Sequence, residues 1–180
     1  MAKRCLFLII IFYAFTVKGQ LYSLGQNPSG VKWNQIKTEN FQLIFPADFQ
    51  SKAQELANIL VYANRVTRES LKTKPKKISI ILQNNTTIDN GFVTLAPKRS
   101  EFYGTPSQEN EGVDWLTKLA VHEYRHVIQF EKYNQGVGKL FKILFGEQGM
   151  GAIIVATTPL WFIEGDAVCS ESENITRGRA

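Results

Sequence analysis

"DWLTKLAVHEYRHVIQFEK", residues 114–132, reads as one helix and holds both histidines of the 180-residue chain. Asp114 is a residue type that caps helix N-termini. Behind it Trp115, Leu119, Val127 and Phe130 supply the broad apolar surface of a helix buried between layers. At this spacing His122 and His126 lie on one face about 6 Å apart, so both imidazoles reach a single metal ion. Glu123 stands about 100° round the helix from His122, within reach of a water on that ion without being a ligand itself. The same letters also describe an amphipathic helix whose histidines merely pack or face solvent. A further ligand elsewhere in the chain would decide between these readings.

A catalytic zinc site usually has three protein ligands and one open position. The third candidate lies in "PLWFIEGDAVCSESE", where Pro159 is suited to start a helix. Within that helix Glu164 and Glu171 are seven residues apart and share a face two turns along. Trp161 and Ile163 give Glu164 an apolar setting, in which a carboxylate needs a partner or a metal. Glu164 as third ligand, with Glu171 hydrogen-bonded to a ligand histidine, meets that need. The alternative is a surface glutamate in a first helical turn, where the helix dipole favours acids.

Outward from these helices, the chain begins MAKRCLFLIIIFYAFTVKGQ, with Lys3 and Arg4 ahead of a thirteen-residue apolar run from Cys5 to Val17. That pattern is expected of a signal peptide spanning residues 1–19, cleaved after Gly19, because a bilayer-spanning helix needs about 20 apolar residues. Residues 20–180 then carry 18 basic and 16 acidic side chains, a net charge of +2. So small a charge gives no electrostatic case for nucleic acid. Cys169 would be the lone cysteine of the mature chain, which fits an exported bacterial envelope protein better than a disulfide-stapled domain. The expected location is the periplasm, the outer-membrane surface or the medium.

The remaining elements alternate in a way that predicts one α+β domain. "VKWNQIKT" and "NFQLIF" read as strands closed by Pro46. A long amphipathic helix is expected from Phe49 to Lys72, with Ala53, Leu56, Ala57, Leu60, Asn64 and Leu71 at helical spacing, ended by Pro75. "KISIILQ" is rich in β-branched residues and predicts a central strand, and "FVTLA" another, stopped by Pro97. Lys98–Gly112 is polar and contains Gly and Pro, so it is expected to be loop with at most a short extended piece at "SEFYG". "GVGKLFKILFGEQGMGAIIVATTP" is apolar but broken by Gly146, Gly149 and Gly151, with Glu147 inside it. It predicts a helix and loop that roof the metal site or pack on a further part of the protein, rather than a transmembrane span. A helix on a membrane surface is the weaker alternative, because only Lys139 and Lys142 offer a basic face.

"HEYRH" followed by "WFIEGDAVCSE", whose Glu164 lies 38 residues after His126, resembles the gluzincins, the peptidase-MA-like zinc metallopeptidases. The tryptophan three before the glutamate, the glycine after it and the glutamate seven further on resemble the aminopeptidase N type more than thermolysin. Where thermolysin-like enzymes carry a supporting aspartate this chain has Val168, which shifts that role to Glu171. The texture of residues 20–180 also resembles the N-terminal part of large exported bacterial proteins in which a β-propeller often follows. The resemblance implies a thermolysin-like N-terminal catalytic subdomain, a mixed sheet packed on helices. It implies zinc bound by His122, His126 and Glu164, with Glu123 as the general base for a peptide or protein substrate. "FVTLA" would be the edge strand along which the substrate lies, although the residues alone describe an interior strand as well. Gluzincins draw an oxyanion-stabilising Tyr or His from beyond the third ligand, and only sixteen residues follow Glu164. The chain is therefore expected to be the N-terminal portion of a longer protein whose C-terminal subdomain completes the site. Tyr124, two positions after His122, points to the other side of the helix and cannot replace it. A non-catalytic exported binding or assembly module that keeps the metallopeptidase fold is the competing expectation.

Overall fold

The structure is a computed structural model that describes residues 27–87, 89–105 and 114–175. The expected signal peptide lies outside them. The described chain is α+β. Its strands are β1 (Trp33–Lys37), β2 (Phe41–Pro46), β3 (Ile78–Gln83), β4 (Gly91–Leu95) and β5 (Lys98–Tyr103), and its helices are α1 (Gln50–Leu71), α2 (Trp115–Lys132), α3 (Gly136–Thr157) and α4 (Leu160–Asn174). The strands form one mixed sheet in the order β1-β2-β3-β5-β4, parallel for β2-β3 and β3-β5 and antiparallel at both ends.

Period-two alternation turns Phe41, Leu43 and Phe45 of β2 and Ile78, Ile80 and Leu82 of β3 to one face of the sheet. That face is covered by the helices, where Leu56 and Leu60 of α1 and Leu116, Ala120, Tyr124 and Val127 of α2 join the same core. Each such large side chain contributes roughly 1.5–3 kcal/mol on burial. The core, and not any surface ion pair, therefore holds α2 against the sheet. α1 stops where Lys72 takes a left-handed conformation, φ 50°, and its N–H returns to the carbonyls of Arg68 and Glu69. The chain has already turned before Pro75.

The loop expected from Lys98 is instead a strand over its first six residues, where composition predicts an extended piece only at "SEFYG". β5 lies inside the sheet between β3 and β4. Its polar residues are each engaged: Lys98 Nζ lies 2.7 Å from Glu131 Oε2, Arg99 Nε 2.7 Å from Glu101 Oε1, and Ser100 Oγ donates to Phe92 O. Composition misled because these side chains find partners, in other elements for Lys98 and Ser100 and within the strand for Arg99. The rest of that expected loop, 106–112, lies outside the described residues.

The helix expected in the apolar segment is there, and it bends at Gly146, where φ is 71° and ψ −163°. Glu147, odd in that setting by sequence, accepts the Lys98 N–H at 3.1 Å and so pins the bend to the sheet. The half after the bend packs Met150 and Ile154 with Ile163 of α4 in a second small cluster that Leu95 and Phe130 join. The half before it leaves Leu140, Ile143, Leu144 and Phe145 exposed. By length and composition alone α3 is long and apolar enough to cross a membrane.

The Gly146 conformation is almost exclusive to glycine and costs another residue about 1–3 kcal/mol. A Cβ there would meet nothing within 4 Å, so the cost is purely conformational. Gly146→Ala is expected to lower the unfolding free energy by about 1–2 kcal/mol after the gain from a stiffer unfolded chain. Gly151→Ala, where a Cβ would make only an ordinary 3.6 Å contact with Leu95, should be neutral or stabilising. Equal urea midpoints for Gly146→Ala and the parent would mean that α3 runs straight.

Candidate metal centre

α2 begins at Asp114, whose Oδ2 accepts the backbone N–H of Thr117 at 2.9 Å and its hydroxyl at 2.8 Å. This cap and the buried apolar face set the register that carries His122 and His126 to the side facing α4. The two rings meet edge to face, 4.9 Å between centroids. Their Nε2 atoms are 3.2 Å apart. From just past the first turn of α4, Glu164 brings Oε2 to 3.4 Å from His122 Nε2 and 3.5 Å from His126 Nε2. These three side chains form a group of possible metal donors.

Each ring is held from behind. Glu171 Oε2 lies 3.3 Å from His122 Nδ1, and Lys118 Nζ is 3.9 Å from the other oxygen of the same carboxylate. Gln129 Oε1 lies 2.8 Å from His126 Nδ1, and the Phe130 ring stacks on the His126 ring at 6.2 Å. Burial, the largest cause, holds His126 below its ordinary pKa, which favours the neutral imidazole a metal requires.

Glu123 is 5 % exposed and carries no hydrogen bond or ion pair among the described residues. Burial, and secondarily the charge of Glu164, pushes its carboxyl up to about 8. It lines an open cleft of 580 Å³ together with the two histidines, Glu164 and the inner edge of α3. β4 forms another wall. It is an edge strand of the sheet, paired among the described residues only with β5, and its first residue approaches closely: a Cβ on Gly91 would lie 3.2 Å from Glu123 Cγ. "FVTLA" is thus an edge strand beside the cleft and not an interior one. Tyr124 lies in the core, away from the cleft, and no tyrosine lines the cleft among the described residues.

All five residues singled out by sequence, His122, Glu123, His126, Glu164 and Glu171, come together here. Two details differ from expectation. The Glu164 side chain is 49 % exposed and Trp161 72 % exposed, because the N-terminal end of α4 forms the rim of the cleft and turns both toward solvent. The apolar letters around Glu164 therefore do not bury it. Sequence reasoning also passed over Arg125, Gln129 and Asp166. Gln129, three positions after His126 on the same helix, was the one visible signal; Arg125 and Asp166 are partners 41 residues apart. No family model, no curated protein and no solved structure matches the chain.

Proposed function

We propose that the chain is a zinc-dependent peptide hydrolase, with His122, His126 and Glu164 as metal ligands and Glu123 as general base. One observation carries the reading. Zinc bonded at about 2.0–2.1 Å to a tetrahedral set spaces its ligand atoms about 3.3–3.4 Å apart. The donor atoms of His122, His126 and Glu164 are separated by 3.2, 3.4 and 3.5 Å. Two imidazoles and one carboxylate, with an open cleft on the remaining side, are also the donor set of catalytic rather than structural zinc.

Zinc held there would supply Lewis acidity, polarising a substrate carbonyl and making water acidic near neutral pH. The chain's own residues would do the rest. Glu123, which touches the cleft but lies outside the donor group, would be kept ionised by the charge of the bound cation and so would take a proton from the attacking water and return it to the departing amine. β4 offers main-chain N–H and C=O groups along the edge that no described strand pairs, and an extended peptide pairing there would lie across the cleft beside Glu123. Glu171 and Gln129 hold the two rings in place. The edge strand beside the His-Glu helix supports a thermolysin-like arrangement of the gluzincin kind.

Zinc titration with elemental analysis tests the ligand set. The parent is expected to hold one zinc per chain, and Glu164→Ala to bind it at least about 10-fold to 100-fold more weakly, since loss of a mere supporting partner already costs that much. Undiminished zinc in Glu164→Ala would remove Glu164 from the ligand set.

A further inference from the structure

The Gln129 carboxamide sits between His126 and α4 with three polar neighbours and 7 % exposure. Its Nε2 lies 2.9 Å from Ile163 O and 2.6 Å from Asp166 Oδ2. The first is a carbonyl. The second belongs to a carboxylate gripped by Arg125, whose Nε and Nη2 each donate to it at 2.7 Å. Both are acceptors only, so the NH₂ group must face them. An amide turned through 180° would set oxygen against two oxygens and lose both bonds.

Gln129 Oε1 is thereby committed to His126 Nδ1, 2.8 Å away. An amide oxygen accepts and never donates, so that nitrogen must carry the proton. We infer that Gln129 fixes His126 in the Nδ1–H tautomer, directing the Nε2 lone pair at the ligand cluster, and that Arg125 and Asp166 act through Gln129 as positioning residues. The inference rests on the metal-site reading for its purpose, not for its geometry.

The chain of contacts continues to the neighbouring helix α1. Arg125 Nη1 donates to Thr67 O at 2.9 Å and to Ser70 Oγ, both on α1. Asp166 lies two residues beyond Glu164, so the fork that orients Gln129 also holds the third candidate ligand's helix against α2. The two histidines are thus supported differently, His122 by the Glu171 carboxylate and His126 by a neutral amide. A carboxylate at position 129 would face Asp166 at 2.6 Å and be repelled, so the amide is the group that serves both neighbours.

Long-range nitrogen–proton correlation spectra of the metal-free chain read the tautomer directly, with its two histidines assigned through the α2 backbone. The expected result is a protonated Nδ1 and an unprotonated Nε2 on His126, with the proton redistributed toward Nε2 in Gln129→Met. That variant removes the acceptor while keeping side-chain length. Its zinc affinity should fall about 10-fold to 100-fold, while the metal-free chain melts somewhat earlier because the Ile163 carbonyl and Asp166 lose a donor. A parent His126 protonated on Nε2 would overturn the inference, as would a Gln129→Met chain that keeps its tautomer and zinc affinity and only melts earlier. A parent that shows the Nδ1–H tautomer yet binds no zinc would uphold the tautomer assignment and instead remove the metal reading.

Discussion

Glu123→Gln is expected to bind zinc as the parent does and to hydrolyse peptides at least about 10²-fold more slowly, since general-base help is worth about 10²–10⁴ in rate. The substitution keeps the volume of a side chain that is 5 % exposed and has no hydrogen-bonding partner to lose among the described residues. It leaves the donor group of His122, His126 and Glu164 untouched. What it removes is the capacity to take a proton. Parallel measurement of zinc content and of turnover on an unstructured protein substrate separates the two effects. Parental turnover with zinc retained would refute the base assignment. A full-length parent that binds zinc and cleaves nothing would favour a binding or assembly module built on the same site.

Arg125→Met is expected to lower the unfolding free energy of the metal-free chain by about 3 kcal/mol. Breaking a buried ion pair by removing one partner costs about 3–5 kcal/mol, because the other charge is stranded. Arg125 is 4 % exposed, but the Asp166 side chain is 29 % exposed, so solvent relieves part of the cost and the lower end applies. The variant also strips the Thr67 carbonyl of a donor in a buried position. Arg125→Lys should not rescue it, since an ammonium cannot reproduce the two parallel bonds to Asp166. Against a typical domain stability of about 5–15 kcal/mol this is a large share. Urea unfolding measures it, and a loss below about 1 kcal/mol would place the fork among ordinary surface pairs.

The elements with strong internal periodicity were legible from sequence. α1 and α2 showed in the spacing of Leu56, Leu60, Leu119 and Val127, and β3 in its β-branched run. That Glu171 would back a ligand histidine followed from its seven-residue spacing to Glu164, whereas the choice of His122 is set by how α4 lies on α2. β5 was not legible, because its polar letters become strand only when Glu131 and Glu101 answer Lys98 and Arg99. Three glycines in the apolar segment look alike as letters and play three parts. Gly146 takes the left-handed bend, and a Cβ on Gly149 would stand 2.6 Å from Phe141 O, whereas Gly151 is an ordinary helical residue near Leu95. The position of β4 at the edge is likewise set by the order of strands in the sheet, which no property of "FVTLA" encodes. The Arg125–Asp166–Gln129 relay joins residues from separate helices, and its members could be seen but not paired.

The central claim is that His122, His126 and Glu164 share one zinc. Anomalous diffraction at the zinc edge from crystals grown with the metal tests it most directly. The expected result is a single zinc within about 2.0–2.2 Å of His122 Nε2, His126 Nε2 and a Glu164 carboxylate oxygen, with Glu123 outside bonding distance. Zinc bound elsewhere, or at this cluster with Glu123 replacing Glu164 as the third ligand, would contradict it.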